Sequence, residues 1–263
     1  MTSMEFTEKV AVVTGGGSGI GEAAALRLAE RGARVAVCGR TKEKLYDTVR
    51  KSDQSAGEMM AVQADVSEEG DVRRMYEQVM ERWGRVDVVF AHAGINGVWA
   101  RIEEIEPDDW DKTIRVNLRG TFPTIRYGVP HLKGRGGAII ITSSINGTTK
   151  FSDLGSTAYS ATKAGQIAMM KLLALELGEH NVRVNAICPG RIATDIGERT
   201  ERRGTKATAE VAEYPKGDIP LTGGQSGTSA QVAELVCFLA SDRASHITGT
   251  PVWIDGGQSL IQG

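Results

Sequence analysis

The feature that most limits the fold is a glycine-rich turn set between an apolar run and a helix-forming run. Lys9 to Thr14 reads Lys-Val-Ala-Val-Val-Thr, a β-branched stretch suited to a buried strand. Gly15-Gly-Gly-Ser-Gly19-Ile-Gly21 follows, and Glu22 to Arg31, rich in Ala and Leu, reads as a helix. A strand, a glycine turn and a helix N-terminus together make an anion site. Unpaired N–H groups and the helix dipole face a phosphate, and the glycines let a pyrophosphate approach. A tight turn needs glycine in any case, so the flanking strand and helix are what make a nucleotide the better reading.

The same alternation runs through the rest of the sequence. Further strands are expected at Arg34 to Arg40, Met59 to Ala64, Val86 to Phe90, Gly137 to Thr142, Asn181 to Ile187 and Thr250 to Asp255. Helices are expected at Thr41 to Lys51, from an N-cap at Ser67 through Trp83, and at Pro107 to Gly128, Ala158 to Gly178 and Thr228 to Ala240. Seven strands alternating with helices predict an α/β fold. It is a single Rossmann-like, doubly wound domain over residues 1–263, a seven-stranded parallel sheet with helices on both faces. Residues 195–227 are the outlier: charged, irregular, rich in Gly and Thr. They read as a mobile flap or short helices over the site, the part that sets substrate choice.

Composition removes several function classes. Lys+Arg of 31 nearly balances Asp+Glu of 33. A net charge of -2 without a dense basic run gives no argument for nucleic acid or a membrane surface. No apolar run approaches the ~20 residues of a membrane span, and Met1 to Lys9 carries no secretory apolar region. Cys38, Cys188 and Cys237 are odd in number and far apart, so they read as buried reduced thiols of a cytoplasmic protein. No second His, Cys or acid stands at metal-ligand spacing from His92, and no metal is expected.

Several residues fall where chemistry is done in such a fold, beyond the C-terminal ends of the strands. Arg40 follows the second strand, where an acid would take the ribose 2′-hydroxyl of NAD and an arginine suits the 2′-phosphate of NADP. NADP(H) is therefore favoured, with NAD(H) possible. Asp65 closes the third strand, either to accept from an adenine amino group or as turn chemistry. Asn117 lies beside the apolar stripe Trp110, Ile114, Leu118, Phe122 and Ile125; its amide must find partners or bend the helix. Ser144 stands at the end of the Gly137 to Thr142 strand. Tyr159 and Lys163 are four apart on one helical face. An ammonium beside a phenol favours the phenolate, and a phenol so tuned can exchange a proton with a carbonyl or alcohol. Ala158, Ala161, Ala164, Gly165 and Ala168 give the same helix a small-residue face open to close helix contact.

With these residues in place the chain resembles a classical short-chain dehydrogenase/reductase over essentially its whole length. The resemblance rests on Thr14-Gly15-x-x-x-Gly19-x-Gly21, on the order Asn117, Ser144, Tyr159, Lys163, and on Pro189-Gly190 followed by Thr194. It implies Tyr159 as general acid-base and Lys163 as the group that lowers its pKa and holds the nicotinamide ribose. Ser144 would polarise the substrate oxygen, and Asn117 would hold a proton-relaying water. It implies Gly15, Ser18, Gly19, Ile20 and Gly21 at the pyrophosphate, and Asp65 and Val66 at the adenine. Pro189 and Thr194 would hold the nicotinamide carboxamide, and Ala93, Gly94 and Ile192 would also bind the cofactor. A homotetramer is the expected assembly. Two departures stand out: Ala91-His92-Ala93-Gly94 replaces a motif whose second residue is usually Asn, and the spacing from Ser144 to Tyr159 is slightly long, with extra length near Lys150 to Ser156.

The implied activity is that of an NAD(P)(H)-dependent oxidoreductase, a carbonyl reductase acting on a small-molecule ketone or secondary alcohol. Reduction of 3-oxoacyl thioesters and oxidation of sugars or polyols are alternatives inside the family. A non-catalytic nucleotide-sensing regulator and a structural oligomer are alternatives outside it. An intact Asn, Ser, Tyr and Lys set argues against both.

Overall fold

The computed structural model describes residues 4–52, 55–151, 153–194, 196–197, 200–204 and 217–262. The first half of the chain builds β1 (Val10–Thr14), α1 (Gly19–Glu30), β2 (Arg34–Gly39), α2 (Lys42–Lys51), β3 (Met59–Gln63), α3 (Glu69–Trp83), β4 (Val88–Ala91) and the two-residue β5 (Val98–Trp99). Then come α4 (Pro107–Ile114), a π-helical stretch Arg115–Arg119, α5 (Thr121–Leu132), β6 (Gly137–Thr142), α6 (Thr157–Gly178) and β7 (Val182–Pro189). The last elements are β8 (Glu201–Arg202), α7 (Ser229–Ala240), β9 (Pro251–Ile254) and α8 (Gln258–Gln262).

The main sheet has seven strands in the order β3-β2-β1-β4-β6-β7-β9, and every pairing in it is parallel. This is the expected doubly wound sheet. Strand order reverses between β1 and β4, and their C-terminal ends open a crevice there. Alternation along β1 divides the core. Val10 and Val12 pack with α3 and α6, while Ala11 and Val13 pack with α1 and α7 on the other face. The seven expected strands all appear, with ends shifted by a residue or two.

Three expectations are corrected. Pro107 to Gly128 is not one uniform α-helix. Its i→i+4 ladder is interrupted at Arg115–Arg119, around Asn117, and α5 continues to Leu132. Phe122, placed in the apolar stripe, is exposed. Ser67 is not the cap of α3, because Glu68 holds that position while the Ser67 hydroxyl donates to Asp65 Oδ1 at 2.7 Å. In the 195–227 segment the described residues form turns and β8, which pairs with β5 in a small parallel sheet. Residues 195, 198–199 and 205–216 of the expected flap lie outside the described residues.

The starts of three strands are tied together by Asp87. Its carboxylate accepts from the Val10 N–H at 2.8 Å and from Arg85 Nε at 2.8 Å. Its backbone carbonyl accepts from Ala138 N at 3.0 Å. The carboxylate is buried, so removing it strands a guanidinium and a buried N–H. Asp87→Ala is expected to lower stability by about 2–4 kcal/mol. Urea unfolding of the two proteins checks this, and equal midpoints would exclude the tie.

Candidate active site

The glycine turn is held at the crevice by two bonds, from Gly15 N and Gly16 N to the Cys38 carbonyl at 2.8 and 3.1 Å. A Cβ on Gly21 would lie 2.2 Å from the Gly15 carbonyl oxygen, so only glycine lets α1 close onto the turn. The first N–H groups of α1 have no acceptor inside the helix. Ser18, Gly19 and Ile20 line a cavity of about 290 Å³ that reaches Arg40, Asp65 and Val66. A bare backbone, free N–H donors and a helix N-terminus suit a pyrophosphate. At His92 and Gly94 this cavity adjoins a second, of about 980 Å³, lined by Ser144, Tyr159, Lys163, Pro189, Ile192 and Thr194. Thr194 closes over the turn, its Cγ2 standing 3.2 Å from where a Cβ of Gly19 would be. Gly21 and Asn117 line neither cavity; both act from behind the wall.

Lys163 is 4% exposed, and its ammonium donates to the Thr142 carbonyl at 2.7 Å. Burial lowers its pKa to about 8. The ammonium lies 5.5 Å from the centroid of the Tyr159 ring, over the face rather than at the hydroxyl. Burial raises the Tyr159 phenol above its ordinary value; a bond with the Ser144 side chain opposes this, and the charge of Asp153 adds to it. In the protein alone, then, burial is the largest influence on the Tyr159 phenol. Ser144, Tyr159 and Lys163 nevertheless converge on one cavity.

Asn117 is fully buried at the π-helical stretch. Its Nδ2 donates to the Ile95 carbonyl and its Oδ1 accepts from Ile95 N, both at 2.8 Å. The amide thus behaves like a strand partner for the chain leaving β4. Its backbone carbonyl, released from the regular ladder, accepts from Thr121 Oγ1 at 2.7 Å and from Gln166 Nε2 at 2.9 Å.

His92 stands where the motif of the resembled family usually has Asn. Its Nδ1 pairs with Thr142 Oγ1 at 3.0 Å, so it does lock the end of β4 to the end of β6. Its backbone N–H donates to Thr14 Oγ1 at 3.1 Å, and its ring stacks on Phe90. Burial, and then the nearby Lys163 charge, depress its pKa to about 3, so the ring is neutral.

Comparison with known proteins agrees with this geometry. Residues 15–259 match the family model described as enoyl-(acyl carrier protein) reductase. The chain is 40% identical to (3R)-3-hydroxyacyl-CoA dehydrogenase of Homo sapiens over 94% of each protein. The chain belongs to the short-chain dehydrogenase/reductase family. Among solved structures, a 3-ketoacyl-ACP reductase from Sinorhizobium meliloti superposes with a TM-score of 0.91 at 51% identity, covering 96% of this chain and 99% of that one. A 3-oxoacyl-[acyl-carrier protein] reductase from Brucella melitensis, solved with bound NAD, gives 0.83 at 32% identity, covering 98% and 94%. This short-chain dehydrogenase/reductase is accordingly an oxidoreductase of keto and hydroxyl groups that uses a nicotinamide dinucleotide. None of its described helices is long and apolar enough to cross a membrane.

Sequence reasoning missed several residues of the wall. Lys150 and Asp153 pair at 2.7 Å in the extra length before Tyr159, and Asp153 also accepts from Asn146. Arg191 makes two bonds to Asp218, both at 2.8 Å. Trp99 tilts against Tyr159 with centroids 6.3 Å apart. Arg191 with Asp218 and Trp99 with Tyr159 meet only through tertiary contact, so no local pattern marks them, and the local pair Lys150 and Asp153 reaches the cavity wall only through the fold.

The neutral His92 predicts a pH effect. The unfolded chain binds a proton on this ring near pH 6.5, which the folded protein refuses down to about 3. Stability should therefore fall as pH drops through this window, by about 1.4 kcal/mol per unit from this group. His92→Asn should flatten that slope in urea unfolding at pH 7, 6 and 5; identical slopes would exclude it.

Proposed function

We propose that this enzyme interconverts a ketone and a secondary alcohol, with NADP(H) as preferred cofactor and Tyr159 as general acid-base. The observation that carries the reading is the Tyr159 phenol, bonded to Ser144, in a cavity that continues into the glycine-turn cleft. The nicotinamide, when bound, supplies or accepts the hydride at the substrate carbon. In reduction, Tyr159 gives its phenolic proton to the carbonyl oxygen as the carbon receives hydride, and the product is the neutral alcohol. Ser144 donates a hydrogen bond to the same oxygen and polarises it. Lys163 holds the ribose hydroxyls and returns a proton to the tyrosinate. Asn117 supports a relay water. Gln166 Oε1, which has no donor among the described residues while its Nε2 bonds the Asn117 carbonyl, suits such a water. Oxidation is the reverse.

Gly15, Ser18, Gly19, Ile20 and Gly21 cradle the pyrophosphate; Asp65 and Val66 flank the adenine. Ala93, Gly94, Pro189, Ile192 and Thr194 take the nicotinamide half. Arg40 supports NADP(H): it follows β2, its side chain is 60% exposed, it stands 4.0 Å from Asp65, and it shares the cavity wall with Lys44. The names of the human and Sinorhizobium relatives favour 3-oxoacyl thioesters as one substrate class. Residues 195–227 serve as the substrate flap of a single domain. The enzyme is a cytoplasmic homotetramer, a reading that three buried free cysteines and an exposed apolar surface at Phe122, Leu172 and Leu175 support.

Tyr159→Phe is expected to retain NADPH binding by fluorescence titration and lose roughly 10²–10⁴-fold in kcat. Near-normal turnover would remove Tyr159 from the chemistry. Arg40→Asp is expected to move the NADP/NAD ratio of kcat/KM toward NAD by about tenfold or more. An unchanged ratio would retire that assignment.

A further inference from the structure

The wall of the larger cavity holds a cation that nothing in the chemistry above uses. The charged residues lining it are Lys150, Lys163, Arg191 and Arg202, against Asp153 and Asp218. Asp153 is taken by Lys150, and Asp218 by Arg191. Lys163 bonds the Thr142 carbonyl. Arg202 has no carboxylate partner among the described residues. Its guanidinium carbon instead lies over the indole of Trp99, 4.3 Å from the ring centroid.

Strand geometry explains why it is left over. In the small parallel sheet Trp99 is the register partner of Arg202, and Arg203 N donates to the Trp99 carbonyl at 2.9 Å. Side chains alternate along a strand, so Glu201 and Arg203 share the face opposite Arg202. There Arg203 bonds Glu201 at 2.8 Å and Asp109 at 2.9 Å. Glu201 and Asp109 are thus taken by Arg203 on that face. The indole is itself buried and fixed by a bond from its Nε1 to the Asn96 carbonyl at 3.1 Å. A guanidinium held over a ring and not by a carboxylate keeps N–H donors for a planar or tetrahedral oxyanion. Its other neighbour through Trp99 is Tyr159. Neither Arg202 nor Trp99 lines the cleft of the glycine turn, which separates them from the pyrophosphate site.

We propose that Arg202, presented by Trp99, recognises an oxyanion on the substrate a few bonds from the reacting carbonyl, so that the preferred substrates are keto or hydroxy compounds bearing a carboxylate or phosphate. The inference rests on the active-site reading above, since it places Tyr159 at the reacting carbon. Arg202 is a specificity residue of the substrate side.

The test compares matched pairs, 4-oxopentanoate with its methyl ester and dihydroxyacetone phosphate with dihydroxyacetone, in NADPH-dependent reduction. Wild type should favour the anionic member of at least one pair by roughly tenfold or more in kcat/KM, and the pair showing this distinguishes carboxylate from phosphate. In Arg202→Gln that ratio should collapse toward one, and Arg202→Lys should keep part of it. Because each ratio is internal to one protein, partial loss of folded enzyme does not alter it. Ratios near one in wild type, or a ratio unchanged in Arg202→Gln, would overturn the proposal. Calorimetric titration of the NADP⁺-loaded proteins with the same four compounds reads binding without turnover. Anion binding that depends on Arg202 there, with no reduction of any compound, would sustain this proposal while sinking the catalytic role of Tyr159. Absence of such dependence in both measurements would sink the proposal alone if acetoacetyl-CoA is still reduced.

Discussion

The site depends on a buried cation resting on the end of a strand. Lys163 carries its ammonium out of water to one acceptor among the described residues, the carbonyl of the last residue of β6. Such burial is expensive and is visible as a pKa lowered to about 8. The position of the charge is consequently set by sheet register and not by side-chain freedom alone. The helix that brings the lysine approaches just as closely. A Cβ on Gly147 would fall 2.4 Å from the Cβ of Lys163, so the turn after β6 must be bare for α6 to reach its place. Ser143 adds a bond from its hydroxyl to the Lys163 carbonyl at 2.8 Å.

His92 belongs to the same device. It grips the hydroxyl of Thr142, whose carbonyl holds Lys163. A histidine of ordinary pKa would charge on mild acidification and set a second cation beside the first. Enclosure and the existing ammonium together prevent that, keeping the ring neutral far below its usual range. The ring can therefore do the strand-locking work of an amide without adding charge.

What could be read from the residues divides along a physical line. Strands buried on both faces, the glycine turn before a helix, and Tyr159 with Lys163 one helical turn apart are local patterns with local causes. They located the sheet and the convergence of Ser144, Tyr159 and Lys163. The π-helical stretch at Asn117 was foreshadowed only as an amide needing partners; the partner, the Ile95 backbone, comes from a strand end twenty-two residues earlier. Ser67 looked like a cap by composition, but its hydroxyl was claimed by Asp65. The pairing of Val98–Trp99 with Glu201–Arg202 is two residues long and joins segments a hundred residues apart, so no periodicity could mark it.

The acidity of Tyr159 shows how far the protein's own charges go. Burial and the carboxylate of Asp153 both press the phenol toward its protonated form. Lys150 bonds that carboxylate at 2.7 Å. Ser144 pulls the other way, while Lys163 faces the ring and not the oxygen. A phenol held protonated is a proton donor, the form that carbonyl reduction requires.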